Sequence, residues 1–444
     1  MDNWIKKDLK YNWHPYTQMK DCQKYPPILI DKAKGIKLYD NKGNFYYDTI
    51  SSWWCNIHGH NHPKIRQAIN RQLKKLDHTL FAGFTHRPAI ELAHELVAIA
   101  PKNLNKVFYS DNGSTAVEIA LKMSFQYWQN IGKKKKTKFL SLDHAYHGDT
   151  IGAMSVGGLG LFNEVFKPLF FKSFKAPSPY CYRCPVGGNK KECDIGCIKS
   201  LENILAKNNS QIAALILEPL VMAAGGMIIY PIDYLKKAAA LAKKYNVHLI
   251  LDEVAVGFGR TGRMFACEHA QVSPDFMCLS KGITSGTLPL AATLTTNEIY
   301  KAFYADYQKR KTFYHGHTYT ANPISCSAAI ASLKVFKEEK SLERAKKVSK
   351  RLAKGLERFK ELELVGDIRH IGVIAALEMV KNKKTKQAFG LGERIGQKIY
   401  QEGLKQRIIL RPLGGVIYLF LPLRVRELQL REILDKTYHI IKKI

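Results

Sequence analysis

Short apolar runs that stop on turn residues recur along this chain, and between them apolar residues return at helical spacing. Such runs at 106–110, 138–142, 212–217, 247–251, 275–279 and 290–295 are too short for helices and are bounded like buried strands. Helical patterns lie between them: two within 64–100, one over 116–128 with Val117, Ala120, Leu121 and Ser124 on one stripe, one over 231–245, and one over 324–336. Alternation of strand and helix predicts a doubly wound α/β fold around a mostly parallel sheet. Ahead of it, 27–51 reads as a small antiparallel meander broken at Gly35 and Gly43. Beyond about 330 the pattern changes to lysine-rich amphipathic helices, strands at 364–380 and 407–421, and a last helix, a second and smaller α+β unit.

The runs at 247–251 and 275–279 are separated by about 30 residues, the length of one strand–crossover–strand unit. The first ends on Asp252 and Glu253, the second on Ser280 and Lys281 before Gly282. As neighbours in a parallel sheet they bring Asp252 and Lys281 to one edge, where such sheets bind ligands. A lysine amine and a carboxylate held together suit pyridoxal phosphate, which takes a Schiff-base lysine and an acid against its pyridinium nitrogen. The alternative is a surface lysine and an ion-paired aspartate. The strand, Gly113-Ser114 turn and helix start at 106–116 make an anion site that would seat a phosphate, or an ordinary capped helix. Tyr146 falls on a loop at the same sheet edge, where its ring could stack on a flat cofactor.

Other features narrow the reading. Gly257, Gly259 and Gly262 match the spacing of a dinucleotide fingerprint, but Asp252 to Val256 intervene after the strand and no helical stripe follows, so the context fails. Trp53 and Trp54 precede a polar, glycine-containing loop and could wall a pocket or simply be core. The histidines 58, 60 and 62 have a spacing that fits no ligand pair and read as loop. Arg411, in the RPLGG turn, is suited to clamp a carboxylate bidentately, or to make a surface ion pair.

Composition excludes more than it assigns. With 444 residues and 46% hydrophobic content the chain has enough apolar material for two cored units. No apolar run reaches the roughly 18 residues of a membrane span, and the N-terminal stretch has no apolar signal region, so a cytoplasmic protein is expected. The net charge of +31 invites a nucleic-acid reading, with 133–136 as its best segment. No nucleic-acid motif accompanies it, and a solvated lysine-rich surface that draws anionic small molecules is the preferred account. Cys181, Cys184, Cys193 and Cys197 have zinc-knuckle spacing, with reduced thiols or a disulfide as alternatives. A catalytic metal is not expected.

Over essentially its whole length the sequence resembles the class III pyridoxal-phosphate aminotransferases. The resemblance rests on HPYTQM at 14–19, SSWWCNIHGHNHP at 51–63, SDNGSTAVEIALKM at 110–123 and AYHGDTIGAMSVG at 145–157. It continues in LDEVAVGFGRTGRMFACEH at 251–269, SKGIT at 280–284, HGHTYTANP at 315–323 and RPLGGVIYLF at 411–420. It implies fold type I, with a large cofactor domain over 61–325 and a small domain formed by 326–444 together with 1–60. It also implies a homodimer with active sites at the interface. Lys281 would be the Schiff-base lysine and proton carrier, and Asp252 the partner of the ring nitrogen. Gly113 and Ser114 would hold the phosphate, with Thr318 and neighbouring His317 from the partner subunit. Tyr146 would stack near the ring, Tyr16, Trp53 and Gly316 would line the substrate pocket, and Arg411 would take the substrate carboxylate. The double tryptophan, the HPYT start and the RPLGGVIY ending resemble the biotin-pathway branch of the family, which aminates 8-amino-7-oxononanoate to 7,8-diaminononanoate. Another ω-aminotransferase of the ornithine, 4-aminobutyrate or diamine type is the alternative. Many members have proline where this chain has His317. The resemblance therefore leaves two donors, S-adenosylmethionine in the commoner branch and lysine in a branch that shares the histidine.

Overall fold

The computed structural model describes residues 2–188 and 193–444. Strands β1 (Ile30–Lys34), β2 (Lys37–Asp40) and β3 (Phe45–Tyr47) form the expected antiparallel meander. Next come β4 (Leu104–Ser110), β5 (Lys138–Leu142), β6 (Phe174–Ala176) and β7 (Ile212–Leu217), then the small hairpin of β8 (Val221–Met222) and β9 (Ile228–Ile229). Strands β10 (His248–Asp252), β11 (Phe276–Leu279) and β12 (Ala291–Thr296) complete a seven-stranded sheet of order β4-β12-β11-β10-β7-β5-β6. All neighbours pair in parallel except β12, which is antiparallel to β4 and β11. A third sheet, antiparallel, holds β13 (Val365–Ile371), β14 (Ile374–Met379) and β15 (Val416–Phe420).

The central strands β7, β10 and β11 are buried at every position and mostly apolar, because both faces of the sheet are covered. Alternate side chains point to opposite faces. Ile216, Ile250, Phe276 and Cys278 meet Ala116, Val117 and Ala120 of the helix Gly113–Asn130 on one side. Leu215, Leu217, Leu249, Leu251 and Met277 join Leu201, Leu235 and Ala238 of the helices Ile198–Asn208 and Ile232–Lys244 on the other. The Gly113–Asn130 helix is also pinned by Trp128, whose indole N–H donates to Ala213 O at 2.9 Å.

Some expected elements differ. The run at 364–380 is two strands, since Gly372 turns the chain in the left-handed region (φ 58°). Of the strands expected within 407–421, on either side of the RPLGG turn, only 416–420 is in the sheet. Pro412 brings no N–H to a ladder and Gly414 (φ 59°) starts a turn, so 407–409 instead runs beside Tyr47 through Tyr47 N to Arg407 O (2.9 Å) and Ile409 N to Tyr47 O (3.1 Å). A short helix, Cys267–Ala270, appears within the stretch read as irregular. The aromatic N-terminus contains a helix, Asn3–Tyr11, capped by Asp2, whose carboxylate accepts from Trp4 N at 2.8 Å. No helix among the described residues is long and apolar enough to cross a membrane.

Candidate active site

Strands β10 and β11 lie side by side with Asp252 opposite Cys278, so Lys281 emerges three residues beyond that register, at the same sheet edge. Asp252, Lys281, Gly113, Ser114 and Tyr146 all line one cavity of about 420 Å³. Lys281 has φ 42°, and burial in the protein pulls its ammonium below the ordinary lysine range, against the opposing pull of Asp252 and Glu218. An amine so shielded spends more time neutral, the form able to attack a carbonyl carbon.

Asp252 is buried and fully engaged. Its Oδ1 accepts from Val254 N at 3.1 Å and its Oδ2 is 2.8 Å from His147 Nδ1. His147 is buried and its Nε2 has no partner; with Nδ1 as the donor, the ring fixes the orientation of the carboxylate. Glu218, at the end of β7, is also buried. It accepts from Tyr146 N (3.0 Å) and Ala223 N (2.9 Å), tying the Tyr146 loop to the β8–β9 hairpin. Burial, then the charge of Asp252, pushes its carboxyl up to about 8. The folded chain therefore keeps a proton on Glu218 that the unfolded chain releases near 4.5, and stability falls as pH rises from 4.5 to 8. The slope from this group is at most roughly 1.4 kcal/mol per pH unit. Glu218→Gln should flatten the decline in thermal midpoint of the cofactor-free protein between pH 5 and 8; an unchanged slope would contradict this protonation.

The helix Gly113–Asn130 starts at the cavity wall. Asn112 caps it by accepting from Thr115 N at 3.1 Å, while Gly113 and Ser114, whose N–H groups have no partner inside a helix, face the cavity. Space there is tight. A Cβ on Gly113 would stand 2.6 Å from Val254 Cγ1, and one on Gly148 1.9 Å from Ser114 Oγ. The end of a long helix, bare of side chains, fits a phosphate.

Tyr16, Trp53 and Arg411 form a second cluster beside the cavity. The Tyr16 hydroxyl donates to Asp149 Oδ1 at 2.6 Å, its ring meets Trp53 edge-on at 5.7 Å, and the Arg411 guanidinium lies 4.3 Å over the Trp53 ring. Burial and then Asp149 push the Tyr16 phenol up to about 12. Four consecutive residues, Ser51 to Trp54, hold positive φ between 44° and 74°, a run rare for residues with a Cβ. This turn sends Trp53 out beneath Arg411 and Trp54 inward, its ring 5.1 Å from Lys281 Nζ. Gly316, His317 and Thr318 are not among the cavity residues. They lie on a loop, with Gly316 and Thr318 exposed.

The cavity thus fits the expected cofactor at three points: amine, acid and helix terminus. Sequence reasoning missed His147 and Glu218, while Trp54, one of the two tryptophans read as a pocket wall or core, does line the cavity. The signals existed, in the second histidine of the 144–149 loop and an acid closing a wholly apolar strand, but their partners are more than 70 residues away. Among the described residues no group of three or more His, Cys, Asp or Glu side chains is placed to hold a metal ion. The cysteine loop runs through 189–192, outside the described residues; burial and then Cys184, Cys193 and Cys181 push the Cys197 thiol up to about 11.

A family model described as Aminotransferase class-III matches residues 19–441. The chain is 48% identical to an adenosylmethionine-8-amino-7-oxononanoate aminotransferase of Aquifex aeolicus, covering 100% of this chain and 97% of that one. It resembles the crystal structure of the same-named protein from Methanocaldococcus jannaschii, with TM-score 0.94, 43% identity, and 99% and 98% of the two chains covered. An omega transaminase from Pseudomonas jessenii in complex with PMP matches with TM-score 0.94, 32% identity and coverage of 100% and 98%.

Proposed function

Since the chain belongs to the class III aminotransferases, a family of fold type I, we propose that it converts 8-amino-7-oxononanoate to 7,8-diaminononanoate with pyridoxal 5'-phosphate as its cofactor. The observation that carries the chemistry is the meeting of Lys281 and Asp252 at the ends of adjacent parallel strands, inside one cavity with a helix N-terminus. When bound, pyridoxal phosphate stores the amino group between donor and acceptor and draws off electron density from the substrate carbon as its proton leaves. Lys281 attaches the cofactor. Its Nζ, once free, would be the base that takes the proton from the substrate carbon and the acid that returns it. Asp252, held by His147 at 2.8 Å, would pair with the ring nitrogen. Gly113 and Ser114 would take the phosphate, and Tyr146, tethered by Glu218, would lie beside the ring.

The substrate reading is supported by the Tyr16–Trp53–Arg411 cluster and by the names of the relatives. A guanidinium stacked on an indole suits a long apolar chain ending in a carboxylate. Arg411→Ala should raise the KM for 8-amino-7-oxononanoate by about 100-fold, near 3 kcal/mol, with a much smaller change for the donor. Equal effects in both half-reactions would remove Arg411 from the carboxylate site.

S-adenosylmethionine is the donor supported by the relatives' names, and His317 supports lysine as the alternative. Loss of the visible absorbance of the loaded protein on adding one compound and not the other identifies the donor. The protein works as a homodimer in the cytoplasm, with domains over 61–325 and over 326–444 joined by 1–60. The exposed Leu80, Phe84, Tyr314 and Tyr319 support an interface there, from which Gly316, His317 and Thr318 of one subunit would complete the other's site.

A further inference from the structure

The glycine-rich stretch 257–262 matches a nucleotide fingerprint in spacing but not in setting, and the chemistry above leaves it unused. In the fold it is a series of turns with left-handed backbone at Phe258 (φ 60°), Gly259 (φ 87°) and Gly262 (φ 93°). A Cβ on Gly259 would stand 2.8 Å from Leu423 Cδ1. Between the two glycines is Arg260, which is fully buried.

A buried guanidinium is ordinarily held by a carboxylate. Arg260 is held by neutral oxygens instead. Its Nη1 donates to Ser51 Oγ (3.1 Å) and Leu421 O (2.7 Å), its Nη2 donates to Trp54 O (3.0 Å) and Asn56 O (2.9 Å), and its plane lies 4.8 Å from the Phe420 ring centre. Three of the four acceptors belong to one short segment, 51–56. That is the segment with four successive non-glycine residues at positive φ, a backbone its own sequence disfavours. Within it Trp53 carries Arg411 on its outer face, and Trp54 turns inward to Lys281 while its indole N–H donates to Tyr418 OH at 3.1 Å.

We propose that Arg260 is a positioning residue for the transamination: its guanidinium grips the 51–56 turn and thereby sets both tryptophans, one under the carboxylate clamp and one beside the reacting lysine. This rests on the function proposed above. The fork matters as well as the charge, because a lysine amine is a point donor that cannot reach acceptors on both sides of a planar fork.

The test compares Arg260→Lys with Ser51→Ala, which removes one acceptor and leaves the buried charge. Both are purified as loaded enzyme beside the parent. Arg260→Lys should raise the KM for 8-amino-7-oxononanoate at least tenfold while changing the maximal rate of the donor half-reaction less than threefold. Ser51→Ala should raise the same KM about threefold. Quenching of tryptophan emission by the bound cofactor should weaken in both variants, because Trp54 moves relative to Lys281. Unchanged KM and unchanged quenching in both variants would overturn the proposal. So would losses in both half-reactions that only follow the fraction of folded protein. If Arg260→Lys does not fold, Ser51→Ala alone decides, by the same two readings. If the parent fails to aminate the ketone, the proposed substrate falls, and the quenching comparison still decides the role of Arg260.

Discussion

Lys281→Ala is expected to abolish turnover, with kcat/KM down by at least roughly 10⁴-fold, about 5.5 kcal/mol of barrier. The side chain has two tasks, covalent attachment and proton transfer, and no second lysine lines the cavity. The visible absorbance that arises when pyridoxal phosphate joins the parent protein should be missing, while the helix terminus at Gly113 and Ser114 still admits the phosphate. The variant should nevertheless fold at least as well as the cofactor-free parent. Alanine at 281 keeps the same left-handed backbone (φ 42°), and a shielded ammonium, an unfavourable guest in this surrounding, is removed. Circular dichroism and the thermal midpoint check the fold; assay and spectrum check the chemistry. Full activity in this variant would sink the central assignment.

The second large effect is expected at Asp252. Asparagine has the same shape and keeps the acceptor for Val254 N, so the loop beyond β10 should hold its form. What changes is charge and one hydrogen bond. The ring nitrogen would lose its anionic partner, and His147 Nδ1, at 2.8 Å from Oδ2, would face an amide that can now donate. Loss of a fixed, water-excluded charge at the point where electron density collects costs about 10³-fold in kcat, near 4 kcal/mol, with KM little altered. Comparable single-turnover rates for Asp252→Asn and the parent would show that Asp252 does not face the cofactor's ring.

Much of this framework is readable in the chain because the central sheet is buried on both faces. Uninterrupted apolar runs such as IAALIL at 212–217 and FMCL at 276–279 mark its strands, and the polar residues that follow them fall at its ligand-binding edge. The Asp252–Lys281 pairing follows from two such runs lying side by side. The capped helix at 113 is legible for a similar reason, since Asn112 and Thr115 advertise the cap locally.

Residues whose role depends on distant partners are not legible in this way. Glu218 acts on the Tyr146 loop, His147 on Asp252, and Arg260 on the 51–56 turn 204 to 209 positions away. The left-handed turn at Ser51 to Trp54 contains no glycine to announce it; Asp48 holds it locally, accepting from Ser52 N (2.9 Å) and Ser52 Oγ (2.7 Å), and Arg260 and Phe420 O grip it from afar. The glycine spacing at 257–262 matches a nucleotide fingerprint, and its setting rules that reading out from the sequence alone. There the glycines serve close packing around a buried cation. The turn at 412–415 is legible from its proline and two glycines, but the apolar stretch before it does not reveal that 407–409 pairs with distant Tyr47 and stays outside the sheet.

The central claim is tested most directly by one single-turnover experiment that needs no knowledge of the donor. The protein is loaded with pyridoxamine 5'-phosphate, mixed with 8-amino-7-oxononanoate, and followed by visible absorbance and mass spectrometry. The expected result is growth of the visible band together with stoichiometric 7,8-diaminononanoate. An unchanged spectrum with this ketone, alongside a prompt response to the keto or aldehyde partners of ornithine or 4-aminobutyrate, would contradict the assignment and make the protein a different ω-aminotransferase.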